Sequence, residues 1–191
     1  HQDSMALDPC AKVVVQAYQA MNKSMQIVEY PGRRSLKLAN EGKIDAELCR
    51  IDQIRDKYPN LIQVTPAIFN LEFSALSKVN LPEINKLSDV RALRIGTIRG
   101  MMAAEFKFKQ VQLTFENELL YLFKLLEYDL VDVIILPTVE IQDGLSRVER
   151  PQAYRRSPTL YTHPMYHYVH KKHSALAIEL GLAIDALLSR P

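Results

Sequence analysis

Apolar stretches short enough to be buried strands alternate along this chain with segments whose apolar residues recur at helical spacing. The clearest strand is Val131-Asp132-Val133-Ile134-Ile135-Leu136, and Leu93-Arg94-Ile95-Gly96, Leu61-Ile62-Gln63-Val64 and the stretches 25–30, 45–50, 69–77 and 110–113 read the same way. Between them the spacing predicts a helix from Asp8-Pro9 to Met21, where a capping carboxylate precedes a proline at the first helical position. Further helices are predicted over 34–40, 101–108, 116–128 and 174–188, with a helix start at Ser88-Asp89-Val90. In 116–128 the inward residues are Leu119, Leu120, Phe123 and Leu126. Alternation at this density predicts an α/β chain of βαβ units with mostly parallel sheets.

Size and charge narrow the function. With 191 residues, 48% of them hydrophobic, the chain can bury one core or two small ones. The net charge is +2, and no basic stripe is interleaved with aromatics, which argues against a nucleic-acid partner. The longest apolar run falls far short of the roughly 20 residues of a membrane span, so no membrane insertion is expected. No secretory signal is legible, which fits a cytosolic chain or an exported one after processing. Cys10 and Cys49 lie in no CxxC. They read either as two core thiols or as one disulfide, and the disulfide requires an oxidising compartment. His163, His167, His170 and His173 follow one another at steps of four, three and three. That pattern suits neither one strand face nor a compact zinc site, so no metal is expected. Without a glycine-rich nucleotide loop or a convincing Ser-His-Asp order, no cofactor is expected either.

One internal echo bears on organisation. A short turn, an Asp and an apolar strand recur in Lys43-Ile44-Asp45-Ala46-Glu47-Leu48 and in Leu130-Val131-Asp132-Val133-Ile134-Ile135, which suggests two similar units. Arg99-Gly100-Met101-Met102 joins a predicted strand to a helix start. Amides at a helix N-terminus can seat a carboxylate; Gly100 permits close approach and Arg99 adds a charge-assisted bond. The plainer reading is an ordinary turn with an exposed arginine. Arg50 ends the strand that starts at Asp45, and strand ends of that kind line ligand crevices in open α/β sheets. Arg55 is its rival, and surface pairing with Asp52 or Asp56 is the plain alternative for both. Tyr30, Arg33 and Arg34 follow the early strand and make a candidate rim.

Several pieces together resemble a known family. They are Tyr30-Pro31-Gly32-Arg33-Arg34-Ser35-Leu36, Asn40-Glu41-Gly42-Lys43-Ile44-Asp45-Ala46-Glu47 and Tyr58-Pro59-Asn60-Leu61-Ile62-Gln63-Val64. Leu93 to Gly100, Val131 to Ile135 and His167-Tyr168-Val169-His170-Lys171-Lys172-His173-Ser174-Ala175-Leu176 continue the order. The chain resembles the periplasmic solute-binding proteins of extracellular family 3, the polar amino acid type. That resemblance implies a two-lobed type 2 periplasmic binding fold, with two small sheets flanked by helices, two crossing segments and hinge closure around a ligand in the cleft. It places lobe 1 at 1–70 with 161–191 and lobe 2 at 71–160. It implies an exported, periplasmic protein, its signal peptide removed, that captures a small anionic or amino-acid-like ligand. The partners it implies are the membrane component of an ABC transporter or a sensor. Phe69 and Glu72 fall near the first crossing segment, where the aromatic covers a ligand face and the carboxylate meets an amine.

Two departures favour an alternative, a sensory or interaction domain that has lost its ligand. Family members open with a strand and a ligand-lining loop, whereas 1–7 is short and polar. Where the family places a carboxylate for a ligand ammonium, this chain has Pro137 followed by Thr138. A few relatives of this architecture are dehydratases acting on cyclic carboxylic acids. Glu72, Glu118 and Glu140 are the carboxyls positioned for that chemistry, but no partner pairs with them in the sequence, and no enzyme is expected.

Overall fold

The computed structural model describes residues 9–189; Asp8, the expected cap of the first helix, and the stretch 1–7 lie outside the described residues. The chain divides into two compact units, His1–Asn70 with Pro164–Pro191, and Leu71–His163. The polypeptide passes between them within two long strands, β3 (Phe69–Lys78) and β8 (Tyr161–His170).

In the first unit, helix α1 (Pro9–Ala20) opens on proline and buries Cys10, Val14, Ala17 and Tyr18. Val13, Val14 and Val15 have strand propensity, yet they are helical here, because this face packs against Val64, Ile68, Val169, Leu180 and Ile184. Helix α2 (Gly32–Asn40) follows Pro31 and ends at Gly42, whose φ is 71°, with the Lys43 amide donating to Leu38 O. Strands β1 (Ala46–Ile51) and β2 (Leu61–Gln63) each pair antiparallel with β8. The last helix of the chain (Ser174–Leu188) packs on α1. Cys10 and Cys49 form a disulfide with Cα atoms 6.2 Å apart, which fixes the first turn of α1 to β1. Closing a loop of this length contributes about 4 kcal/mol in the chain-entropy account.

The second unit orders its strands β5-β4-β6-β3-β7. Strand β4 (Ile95–Ile98) runs parallel to both β5 (Leu113–Glu116) and β6 (Val133–Pro137). Helices α3 (Met102–Lys107) and α4 (Leu119–Glu127) lie on the crossovers between these strands. All five residues of β6 are buried, as a central strand covered on both faces requires. Strand β3 pairs antiparallel with β6 and with β7 (Tyr154–Arg156). The core gathers Leu76, Leu122, Phe123, Leu126, Ile134, Leu136 and Ile141, the last from helix α5 (Thr138–Arg147). The final helix, Ser174–Leu188, is therefore α6.

The expected mostly parallel sheet describes β5-β4-β6 alone. In the first unit the segment 25–30 is extended but forms no ladder among the described residues, where the paired strands are the two that run against the returning β8. The helix expected from Ser88 is a single 3-10 turn, Leu87–Val90, because the Asp89 carboxylate accepts from the Asn85 and Lys86 amides upstream. Strand β5 lies three residues later than expected, in register with β4 from Ile95 opposite Leu113. That shift shortens α4, so Leu122 takes the inward place expected of Leu120, which is exposed. Helix α5 and strand β7 were not anticipated, although Ile141, Leu145 and Val148 recur at helical spacing.

The two echoed aspartates do the same work in their own units. Asp45 accepts from Lys172 Nζ at 2.7 Å and pairs with His173 Nε2 at 2.8 Å. Asp132 accepts from the Arg94 amide at 2.7 Å, from Nε at 3.1 Å and from Nη2 at 2.7 Å. Lys172 and His173 hold the first carboxyl below the usual range, and Arg94 holds the second. Each Asp thus pins the start of a strand to a basic side chain distant in sequence.

Candidate functional site

A groove of about 920 Å³ lies within the first unit. One wall is the stretch from Asn22 to Tyr30; the other is Lys43 to Leu48 with Arg50. Tyr18, Ser35, His167, His173 and Leu176 complete it. It brings together two of the expected residues, Tyr30 and Arg50. Arg34 stacks over the Tyr30 ring at 5.8 Å, while Arg33 is exposed at the start of α2. Phe69, half-buried at the head of β3, packs on the first unit's core.

Arg50 is engaged from within the protein. Its Nη2 lies 2.7 Å from Glu47 Oε2, and its Nη1 donates to Cys49 O at 2.9 Å. Glu47 is 2% exposed, and its Oε1 has no hydrogen-bond partner among the described residues. Burial raises this carboxyl above its ordinary range, and Arg50 opposes the rise. Sequence reasoning missed Glu47, although a Glu three residues before an Arg across one strand was visible. His167 lies on the same groove and is 1% exposed. Its Nδ1 is 3.1 Å from Leu48 O and its Nε2 is 3.3 Å from the Tyr18 hydroxyl. The neutral tautomer that fits donates from Nδ1 and accepts at Nε2. Burial brings the imidazole down to about 4 and the Tyr18 phenol up to about 12.

The remaining expected residues lie in the second unit. Gly100 has φ 85°, and a Cβ there meets nothing within 4 Å, so the glycine serves the backbone turn rather than a close approach. The Met101 amide donates to Ile98 O at 3.1 Å and the Met102 amide to Gly100 O at 2.9 Å, which turns both inward. Helix α3 has six residues, so its end carries a small dipole. Arg99 is exposed, donating from Nε to Asn117 Oδ1 at 3.2 Å, with its guanidinium 5.7 Å from the Phe115 ring centre. Pro137 closes β6 and precedes α5; the Thr138 hydroxyl, in the first turn of α5, is 2.9 Å from the Ser74 hydroxyl. Arg156 Nη1 donates to Ser74 Oγ at 3.4 Å, so these three polar side chains meet at one helix start. Neither Ser74 nor Arg156 was picked out from sequence, because a strand serine and a late arginine carry no local signal. Glu72 accepts from the Thr159 hydroxyl at 3.0 Å. Glu140, half-buried in α5, is pushed up to about 7 by burial, with Asp143 adding to the rise.

Among the described residues no three or more His, Cys, Asp and Glu side chains come together as a metal site, and no helix is long and apolar enough to cross a membrane.

No family model matches the sequence, and no curated protein does. Solved structures do match. A histidine kinase sensor domain with similarity to periplasmic binding proteins superposes with a TM-score of 0.77 at 12% identity, covering 94% of this chain and 79% of that one. An ancestral arginine-binding protein bound to glutamine gives 0.73 at 13% identity, over 94% and 81%. The periplasmic VFT2 domain of BvgS from Bordetella pertussis gives 0.70 at 9% identity, over 96% and 78%. At such identities the likeness is one of fold, and the chain has the α/β fold of periplasmic-binding-protein-like domains.

Proposed function

We propose that this chain is an extracytoplasmic solute-binding or sensing domain, of the family 3 type, that takes a small anionic or amino-acid-like ligand. The observation that carries this reading is the fold it shares with arginine-binding proteins, with a histidine kinase sensor domain and with the periplasmic VFT2 domain of BvgS. The Cys10–Cys49 disulfide supports an oxidising compartment such as the periplasm. In the first unit, Arg50 and Tyr30 are the groups proposed to meet the ligand, with Arg33 and Phe69 at the margin. In the second unit they are Thr138 beside Pro137, Glu72, and the turn from Arg99 to Met102. Ser74 and Arg156 join Thr138 in this proposal, since their polar atoms converge there. The partner is the membrane component of a transporter or the body of a sensor, and no catalytic role is assigned.

A second reading, a domain of the same fold that binds no small ligand, is favoured by the pairing of Arg50 with Glu47. A guanidinium already held at 2.7 Å by a buried carboxylate has less capacity for a ligand anion. A thermal-shift titration against amino acids, dicarboxylates and amines separates the two. A binder gains about 2.7 kcal/mol at a ligand concentration of about 100 Kd, so its Tm rises with concentration. A flat response across the panel overturns the proposal in favour of the second reading.

A further inference from the structure

We propose that the exposed face of helix α6 is a self-association surface, on which a second copy of this chain packs its own α6 antiparallel. In Ser174–Leu188 the only polar side chains are those of Ser174, Glu179 and Asp185. A helix that is apolar all round is ordinarily covered all round. Here one side, with Ala177, Leu180 and Ile184, is buried against α1 and the first unit's core. The opposite side carries Ile178 and Leu182, which are 72% and 70% exposed. They are the two most exposed large hydrophobic side chains among the described residues. At 15 residues the helix is too short to cross a bilayer, so a membrane span does not account for its second apolar side.

The order of residues on this side selects a second copy as the occupant. Ala175, Ile178, Leu182 and Ala186 are all exposed and follow one another at helical spacing, which makes one stripe. The stripe reads small, large, large, small from either end. A twofold axis midway between Ile178 and Leu182 therefore sets Ile178 against the second copy's Leu182, and alanines flank that contact at both ends. A groove of about 550 Å³ runs beside the stripe, between α6 and Ile62, Gln63, Thr65 and Pro66. Ile178 and Leu182 line it, so the large side chains of an opposing helix have a furrow to enter.

Charge fixes the direction. Lys171 and Asp185 are exposed, and neither side chain has an ion pair among the described residues. Asp185 lies as far beyond the middle of the stripe as Ala175 lies before it, and Lys171 is one turn ahead of Ala175. An antiparallel copy thus brings its Asp185 to the N-terminal turn of α6, beside Lys171, and the twofold axis repeats the pairing at the other end. A parallel copy would set Asp185 against Asp185. An acidic side chain at the edge of the stripe also disfavours an anionic lipid surface. One helix pair is a small interface, so the association expected is reversible and micromolar.

The test is sedimentation velocity across the micromolar range at low ionic strength, on the parent chain and on variants of this face. Ile178→Gln combined with Leu182→Gln is expected to stay monomeric at every concentration, with the Tm of the parent monomer. Lys171→Glu and Asp185→Lys each bring like charges together and are expected to weaken association by roughly tenfold. Combining these two restores opposite charges, and its Kd is expected to return to within about threefold of the parent value. A parent chain that is monomeric throughout overturns the proposal. So does association that survives the glutamine pair, which moves the interface elsewhere. A lower Tm of the glutamine pair at a monomeric concentration means that the two side chains serve the fold, and overturns it too. Failure of either single charge variant to weaken association, or of the combined one to recover it, overturns the antiparallel arrangement. Binding to phosphatidylcholine–phosphatidylserine vesicles that the glutamine pair abolishes, with no dimer in solution, assigns the face to lipid instead. No solute enters these measurements, so their outcome is separate from that of the ligand titration.

Discussion

At the scale of single residues, the buried pair Glu47–Arg50 decides most. Burial pushes this carboxyl, which is 2% exposed, above its ordinary range, and the guanidinium 2.7 Å away opposes the rise. Removing one partner of a buried pair typically costs 3–5 kcal/mol. The Arg50 side chain is 30% exposed, so Arg50→Ala is expected to cost about 2 kcal/mol by urea denaturation. The double change Glu47→Gln with Arg50→Ala is expected to recover more than half of that loss. A ligand titration on Arg50→Ala alone confounds affinity with stability, and the double variant is the cleaner probe. Glu47 itself was legible as an acidic neighbour of Arg50, but nothing in the sequence said that the strand would turn it inward. A β-bulge between Glu47 and Arg50 shifts the register against β8, and such a shift changes which face a side chain takes.

Among the elements, α6 shows how packing overrides propensity. Gly181 lies inside this helix, where alanine is ordinarily better by about 1 kcal/mol. A Cβ at this position meets the Thr65 carbonyl oxygen at 2.6 Å, so helix and backbone touch here because the residue has no side chain. Gly181→Ala is therefore expected to destabilise by about 1–2 kcal/mol and to lower the Tm, opposite to the helix scale. Were the Tm to rise, the close approach of α6 to Thr65 would be wrong. Helix α1 was readable because its apolar residues recur at helical spacing after Asp8-Pro9, and α6 because Ser174–Leu188 is a long run of apolar residues and strong helix formers. Strand β7 was not, because Tyr154-Arg155-Arg156 acquires strand character only by pairing with β3.

For the whole molecule, the pH dependence of stability sums opposing groups. His167 in the first unit has a folded pKa of about 4 against an ordinary 6.5, so the unfolded chain binds its proton more tightly. Its contribution is complete above pH 6.5 and is lost as pH falls toward 4. Glu140 in the second unit has a folded pKa of about 7 against 4.5, so the folded chain holds its proton more tightly. Its contribution is complete below pH 4.5 and is lost as pH rises through 7. Between pH 4.5 and 6.5 the two slopes oppose each other. Glu140→Gln is expected to gain about 2 kcal/mol at pH 8 relative to pH 4, after allowance for its partial exposure. In that variant stability should climb more steeply from pH 4.5 to 6.5, as measured by urea denaturation at fixed ionic strength. An unchanged profile would mean that Glu140 is better solvated than its environment implies.

By itself the sequence determined the α/β class, the helix and strand order from Pro9 to Leu136 in outline, the last helix, and the echoed Asp-strand units. Each of these depends on periodicity within a few residues, which is written into the chain locally. The tertiary structure alone decided that 25–30 has no ladder among the described residues, that β8 runs between β1 and β2, and that Glu47, Ser74 and Arg156 acquire polar partners. Those outcomes depend on residues as far apart as Ser74 and Arg156, whose meeting is set by strand register and packing. No local pattern encodes a partner 82 residues away.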